Sequence, residues 1–72
     1  MTILEKLILK YPKTLWKWYE ISRNPNVSWD FINSNPDKPW NWHYLIENPN
    51  ITIDIIQSNP DKPWDLHRIH RN

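Results

Sequence analysis

Three histidines are the first residues of this chain whose type suggests chemistry. His67 and His70 lie three apart, which on a helix puts both on one face, and His43 lies 24 residues before His67. Two helical imidazoles and a third from a neighbouring element could hold Zn²⁺. The chain has no cysteine, so any metal would rest on histidines and carboxylates, and no disulfide can staple the fold. The simpler reading starts from Tyr19, 24 residues before His43. One slot then takes a planar, partly polar ring each time, as a stacking interface requires. No metal and no cofactor is expected.

The carboxylates follow the same interval. Asp30 and Asp54 are 24 apart, as are Asp37 and Asp61, and each stands where an acid caps or opens a helix. A pair for general acid–base work needs a shared cleft that splits the two pKa values, and very short helices offer no obvious cleft. Ser22, Ser28, Ser34 and Ser58 lack a nucleophile-elbow or triad context. With nucleophile, base and oxyanion donors all unassigned, the chain is expected not to be an enzyme. Asn26-Val27-Ser28 and Asn50-Ile51-Thr52 match the glycosylation acceptor pattern, but helix capping already accounts for those residues.

The elements that position these residues come from a repeat. Pro25 to Asn48 and Pro49 to Asn72 agree at 13 of 24 positions, including NPDKPW at Asn35–Trp40 and Asn59–Trp64. Met1 to Asn24 fits more loosely: Pro12 falls on Pro36, Trp16 on Trp40, Trp18 on Trp42, and Ile3, Leu7 and Ile8 on Val27, Phe31 and Ile32. The expected domain is single, residues 1–72, with a divergent N-terminal capping repeat (1–24), a central repeat (25–48) and a C-terminal capping repeat (49–72). Polar replacements at both ends, Lys6, Lys10, Lys13 and Lys17 in the first unit and Arg68 and His70 in the last, suit terminal units whose outer face meets water. The array is therefore expected to be complete.

Each unit reads as two helices. Thr52 and Ser28 suit N-caps, Ile51 and Ile56 have hydrophobic-staple spacing, and Thr2 with Glu5 forms a T-x-x-E capping box. Helix A then ends at Asn35 or Asn59, because the residue before a proline avoids the α region. Within NPDKPW, Asp37 and Asp61 are expected to cap helix B. Pro39 and Pro63 would lie in its first turn, where a missing N–H is harmless, with Trp40 and Trp64 one turn in. Helix B would run from about Lys38 to Glu47. Pro36, Asp37, Pro39 and Trp40, with Pro60, Asp61, Pro63 and Trp64, form the structural signature. Such short helices are unstable alone. The fold class is therefore all-α, a small α-solenoid of three stacked helix–turn–helix repeats with six helices.

These letters resemble a short tandem repeat in proteins of giant DNA viruses of amoebae. The resemblance covers Pro25 to Asn72 strongly and Met1 to Asn24 weakly. It is carried by Trp29, Asp30, Ile32, Asn35–Trp40, Trp42, Asp54, Ile56 and Asn59–Trp64, with Ile53 and Leu66 departing where tryptophans are expected. It implies a helical repeat protein of viral origin whose repeated residues are structural, and it transfers no functional residue. A cytoplasmic location is the default expectation, which for a viral protein means the host cytoplasm or the virion.

Composition narrows the partners. Six Trp, three Tyr and ten Ile in 72 residues argue for a folded chain, despite 39% apolar content and a mean hydropathy of −0.81. A formal charge of +1 implies no strong electrostatic partner. No stretch reaches the roughly 18–20 apolar residues that span a bilayer, and Glu5 and Lys6 interrupt MTILEKLILK too early for a signal-peptide core, so no membrane partner is expected. The first unit carries five basic against two acidic residues, and with an outward Trp29 it could stack on and neutralise nucleic acid. No continuous basic stripe supports that, so nucleic acid is the secondary alternative. Self-association through the ends, at Leu4 or Ile69, is a third.

The leading reading rests on positions that do not repeat. Taking Trp42, Leu45 and Ile46 as the buried side of helix B, Asn41, Tyr44 and Glu47 face away. Their equivalents are Lys17, Glu20 and Arg23, and Asp65, Arg68 and Arg71. Columns that change chemistry over a constant scaffold make a surface for a protein partner. The bland reading is a solvated face that drifts freely.

Overall fold

The computed structural model describes residues 1–65. Its helices are α1 (Ile3–Lys10), α2 (Trp18–Ser22), α3 (Trp29–Ser34), α4 (Trp42–Leu45) and α5 (Ile53–Ser58). No strand occurs among the described residues, and the fold is all-α. The expected sixth helix would start near Lys62, but residues 62–65 are not helical, and 66–72 lie outside the described residues.

Local chemistry sets the odd-numbered helices. Thr2 Oγ1 accepts from the Glu5 N–H at 3.2 Å while the Glu5 carboxylate accepts from the Thr2 N–H at 2.9 Å, completing the capping box. Ser28 and Thr52 cap α3 and α5, accepting from Phe31 and Ile55 at 3.1 and 3.3 Å. Both helices stop as the sequence predicts, at C-caps Asn35 and Asn59, each followed by proline. The Asn35 and Asn59 amides also donate to the carbonyls four residues back, Phe31 and Ile55.

NPDKPW behaves differently from the expectation. The chain makes a non-helical turn in which the Lys38 N–H donates to Asn35 at 3.2 Å and the Trp40 N–H to Lys38 at 2.8 Å. The indole of Trp40 donates to the same Asn35 carbonyl at 2.9 Å. Lys62, Trp64 and Asn59 repeat all three bonds, and so do Thr14, Trp16 and Tyr11. Neither Asp37 nor Asp61 caps a helix. Both are exposed, 4.0 and 3.5 Å from the ammonium groups of Lys38 and Lys62. Pro39 and Pro63 lie in the turn, outside any helical first turn, and Trp40 precedes its helix. The cause is local: a helix starting at Lys38 would need α geometry at a residue that Pro39 drives away from it. Helix α4 begins only after Asn41, whose side-chain oxygen accepts from the Tyr44 N–H at 3.3 Å. It spans Trp42–Leu45, shorter than the expected Lys38–Glu47.

The core holds Ile8, Ile21, Val27, Phe31, Ile32, Trp40, Leu45, Ile51 and Trp64. Trp18 meets Trp40 edge-on with centroids 5.2 Å apart, and 24 residues later Trp42 meets Trp64 the same way at 5.0 Å. Phe31 adds a second edge contact to Trp40. Ile3 and Leu7 depart from their counterparts: Val27 and Phe31 are buried, whereas Ile3 and Leu7 are exposed.

Two buried polar groups join distant segments. Asn48 is 1% exposed. Its Nδ2 donates to the carbonyls of Ser22, Asn24 and Val27, each at 3.0 Å, and its Oδ1 accepts from the Asn50 N–H. Asn50 adds bonds to the Pro25 and Val27 carbonyls. Glu5 is 2% exposed. Besides Thr2, it accepts from both the N–H and the hydroxyl of Ser28, at 2.8 and 2.9 Å. Burial pushes the Glu5 carboxyl up, but its bonds to Ser28 and Thr2 outweigh that and hold it below the usual carboxylate value. Among the described residues no buried side-chain nitrogen or oxygen lacks a partner.

Candidate partner-binding face

Helices α2 and α4 pack on each other, and this contact brings part of the sequence-predicted columns together. Helix α2 is bracketed by Lys17 as N-cap and Arg23 as C-cap, with Glu20 between; all three are exposed. On α4, Asn41 is the N-cap and is half-buried, its own N–H donating to the Ser22 hydroxyl at 2.9 Å. Tyr44 is also half-buried. Its ring lies 5.7 Å from Tyr19, 5.6 Å from the Arg23 guanidinium carbon and 5.2 Å from the His43 ring.

Of the ten candidate residues, the structure gathers Arg23 and Tyr44 directly, with Lys17, Glu20 and Asn41 on the same pair of elements. Glu47 is exposed but stands beyond the α4 C-cap, Ile46. Helical angles therefore do not carry the column from Asn41 as far as Glu47. Asp65 is half-buried, its Oδ2 2.6 Å from His43 Nδ1. Arg68 and Arg71 lie outside the described residues.

Trp29 is a correction. It is half-buried against the core, with its ring 5.7 Å from Trp64 and tilted by 37°, so it does not face outward. Leu4 likewise packs on the core from a half-buried position. The expected inner side of helix B does turn inward: Leu45 is fully buried, and Trp42 and Ile46 pack against the core.

Sequence reasoning placed Tyr19 and His43 in a stacking slot. Tyr19 does stack, but on Tyr44 rather than within a covered interface, and it remains 41% exposed. Both rings belong to the candidate face. The signal for them was the slot itself, where an aromatic with a polar atom is kept at each occurrence.

The other chemistry-bearing residues are engaged locally. Ser22 accepts from the Asn41 N–H, and Ser28 bonds Glu5 and caps α3. His67 and His70 lie outside the described residues, and among the described ones no group of three or more His, Asp or Glu could hold a metal ion. Nor is any described helix long and apolar enough to cross a membrane. No protein-family model matches the chain, and no curated protein or solved structure matches it.

Proposed function

We propose that the chain is a non-catalytic repeat module that binds a protein, built as a three-unit α-solenoid of 24-residue helix–turn–helix repeats. The spacing of equivalent bonds supports the architecture. Three turns with the same three hydrogen bonds, and two tryptophan pairs with the same edge contact, stand 24 residues apart. The resemblance to repeat proteins of giant DNA viruses accords with this reading and with a place in the host cytoplasm or the virion.

The observation that carries the binding function is Tyr44. It is held between Tyr19, Arg23 and His43 on the α2–α4 surface, where a half-buried ring and a guanidinium meet. Tyr and Arg are the residues that most often dominate binding at the centre of an interface. A ring already fixed by its neighbours loses little freedom on docking. The test is an affinity capture from a lysate of cells that contain the protein, made in parallel with Tyr44→Ala and Arg23→Glu. The reading requires a polypeptide retained by the parent after nuclease treatment and lost with both variants. Equal retention by all three, or loss on nuclease treatment, would end it.

A further inference from the structure

We propose that the first 17 residues form a contact surface for an anionic lipid membrane, one that adjoins the α2–α4 face at Lys17. Ile3, Lys6, Leu7 and Lys10 follow one another at i, i+3, i+4 and i+7, a single stripe of α1. All four are exposed, while Glu5 and Ile8 on the other side of the helix are buried. The stripe alternates aliphatic and cationic side chains, so exposed apolar surface lies directly beside ammonium groups.

The following turn continues this chemistry. Lys10 Nζ sits 5.6 Å from the centre of the Tyr11 ring, and a shallow open hollow is lined by Lys10, Tyr11, Pro12, Lys13 and Thr14. Beyond it, Leu15 is 98% exposed, so its side chain touches almost nothing. Lys17 is exposed as well.

Comparison with the equivalent turns isolates what is special here. The backbone bonds of Tyr11–Trp16 match those of Asn35–Trp40 and Asn59–Trp64. The contents do not match. Asp37-Lys38 and Asp61-Lys62, each a neutral pair, are replaced by Lys13-Thr14, and Pro39 and Pro63 by Leu15. One scaffold turn has thus exchanged balanced charge for net positive charge, and a rigid imino acid for a protruding aliphatic side chain.

Charge favours an anionic occupant. In residues 1–17 there are four lysines and a single carboxylate, Glu5. That carboxylate is 2% exposed and is occupied by Thr2 and Ser28, so the outer surface of this segment is cationic and apolar with no exposed acid. The apolar part decides between anions. Nucleic acid is gripped by ring faces on which bases stack, and within residues 1–17 the exposed ring, Tyr11, lies beneath Lys10. Leu15, Ile3 and Leu7 find a matching environment at the acyl boundary of a lipid leaflet, with the lysines among the phosphates.

The experiment uses the full chain and vesicles of phosphatidylcholine alone or with phosphatidylserine. Since the chain has no cysteine, Leu15→Cys takes one environment-sensitive dye. The dye should shift to the blue on phosphatidylserine vesicles and stay unchanged on neutral ones, and co-sedimentation should weaken as salt rises. Removing each of Lys6, Lys10 and Lys13 to Ala should lower partitioning roughly fivefold, and Leu15→Ser on the order of tenfold. These exposed sites leave the core intact, which the far-UV dichroism of each variant checks. Absence of binding to phosphatidylserine vesicles at low salt overturns the proposal, as does equal binding to neutral vesicles or indifference to the lysine and Leu15 changes. Lysine-dependent binding of a single-stranded oligonucleotide without vesicle binding would reassign the surface to nucleic acid.

Discussion

The indole Nε1 of Trp40 donates to the main-chain carbonyl of Asn35 at 2.9 Å, bridging a turn that contains both Pro36 and Pro39. The ring is only 6% exposed, so one side chain both closes the turn and fills the core. The two roles separate by mutation. Trp40→Ala should destabilise the fold by about 3–5 kcal/mol. Trp40→Phe keeps most of the apolar volume but removes the indole bond, leaving the Asn35 carbonyl with the Lys38 N–H alone, and should cost about 0.5–1.5 kcal/mol. Urea unfolding followed by circular dichroism measures both, and a Trp40→Ala variant that melts with the parent would remove the indole from its assigned place.

Asn48 is the second point of leverage. Its amide serves the carbonyls of Ser22, Asn24 and Val27 together, and only two N–H groups are available to do so. Asn48→Asp is nearly isosteric yet replaces those donors with a negative charge among acceptors. A loss of about 3 kcal/mol or more is expected. Asn24, partly exposed and holding only the Asn26 N–H by its side chain, should tolerate Ala at about 1 kcal/mol. Similar midpoints for the two variants in urea would contradict the hub role.

The Glu5 carboxylate supplies a pH signature. Its pKa is below the ordinary value of 4.5 in the folded chain, so the unfolded chain takes up a proton first as pH falls. The stability it contributes is complete above that ordinary value and is lost as pH drops through the lower, folded pKa. Glu5→Gln should weaken the fold at neutral pH by about 2 kcal/mol, the scale of hydrogen bonds to a charged group. It should also flatten the acid limb of a stability–pH curve. An unchanged acid limb in the variant would show that other carboxylates set it.

Trp29 offers a direct check on packing. Lying against Trp64, it should lower stability by about 1–3 kcal/mol when changed to Ala, less than a fully buried indole because it is half-exposed. A ring standing free in water would leave the melting temperature where it was.

Much of the helical layout was legible because it is local. Thr2-x-x-Glu5, Ser28 and Thr52 are capping signals read within one turn, and Asn-Pro ends a helix by sterics at a single peptide bond. The restart was misread at Asp37 because two capping residues compete there. Asp37 has the right side chain, but Pro39 holds Lys38 out of α geometry, which leaves Asn41 as the cap. Contacts between segments were invisible for another reason. Glu5 reaches Ser28 across 23 residues, and Asn48, which reads as a helix terminator, reaches Ser22 across 26; neither leaves a mark in the sequence nearby. The columns of the candidate face failed at Glu47 because a wheel angle means nothing once a one-turn helix has ended.

The bonds made by the Asn48 and Asn50 amides run to peptide carbonyls, groups that every amino acid except in name supplies alike. A joint of that kind does not care which side chains flank it. Exposed side chains along residues 22–27 can therefore be exchanged without loosening the joint, provided the backbone keeps its path.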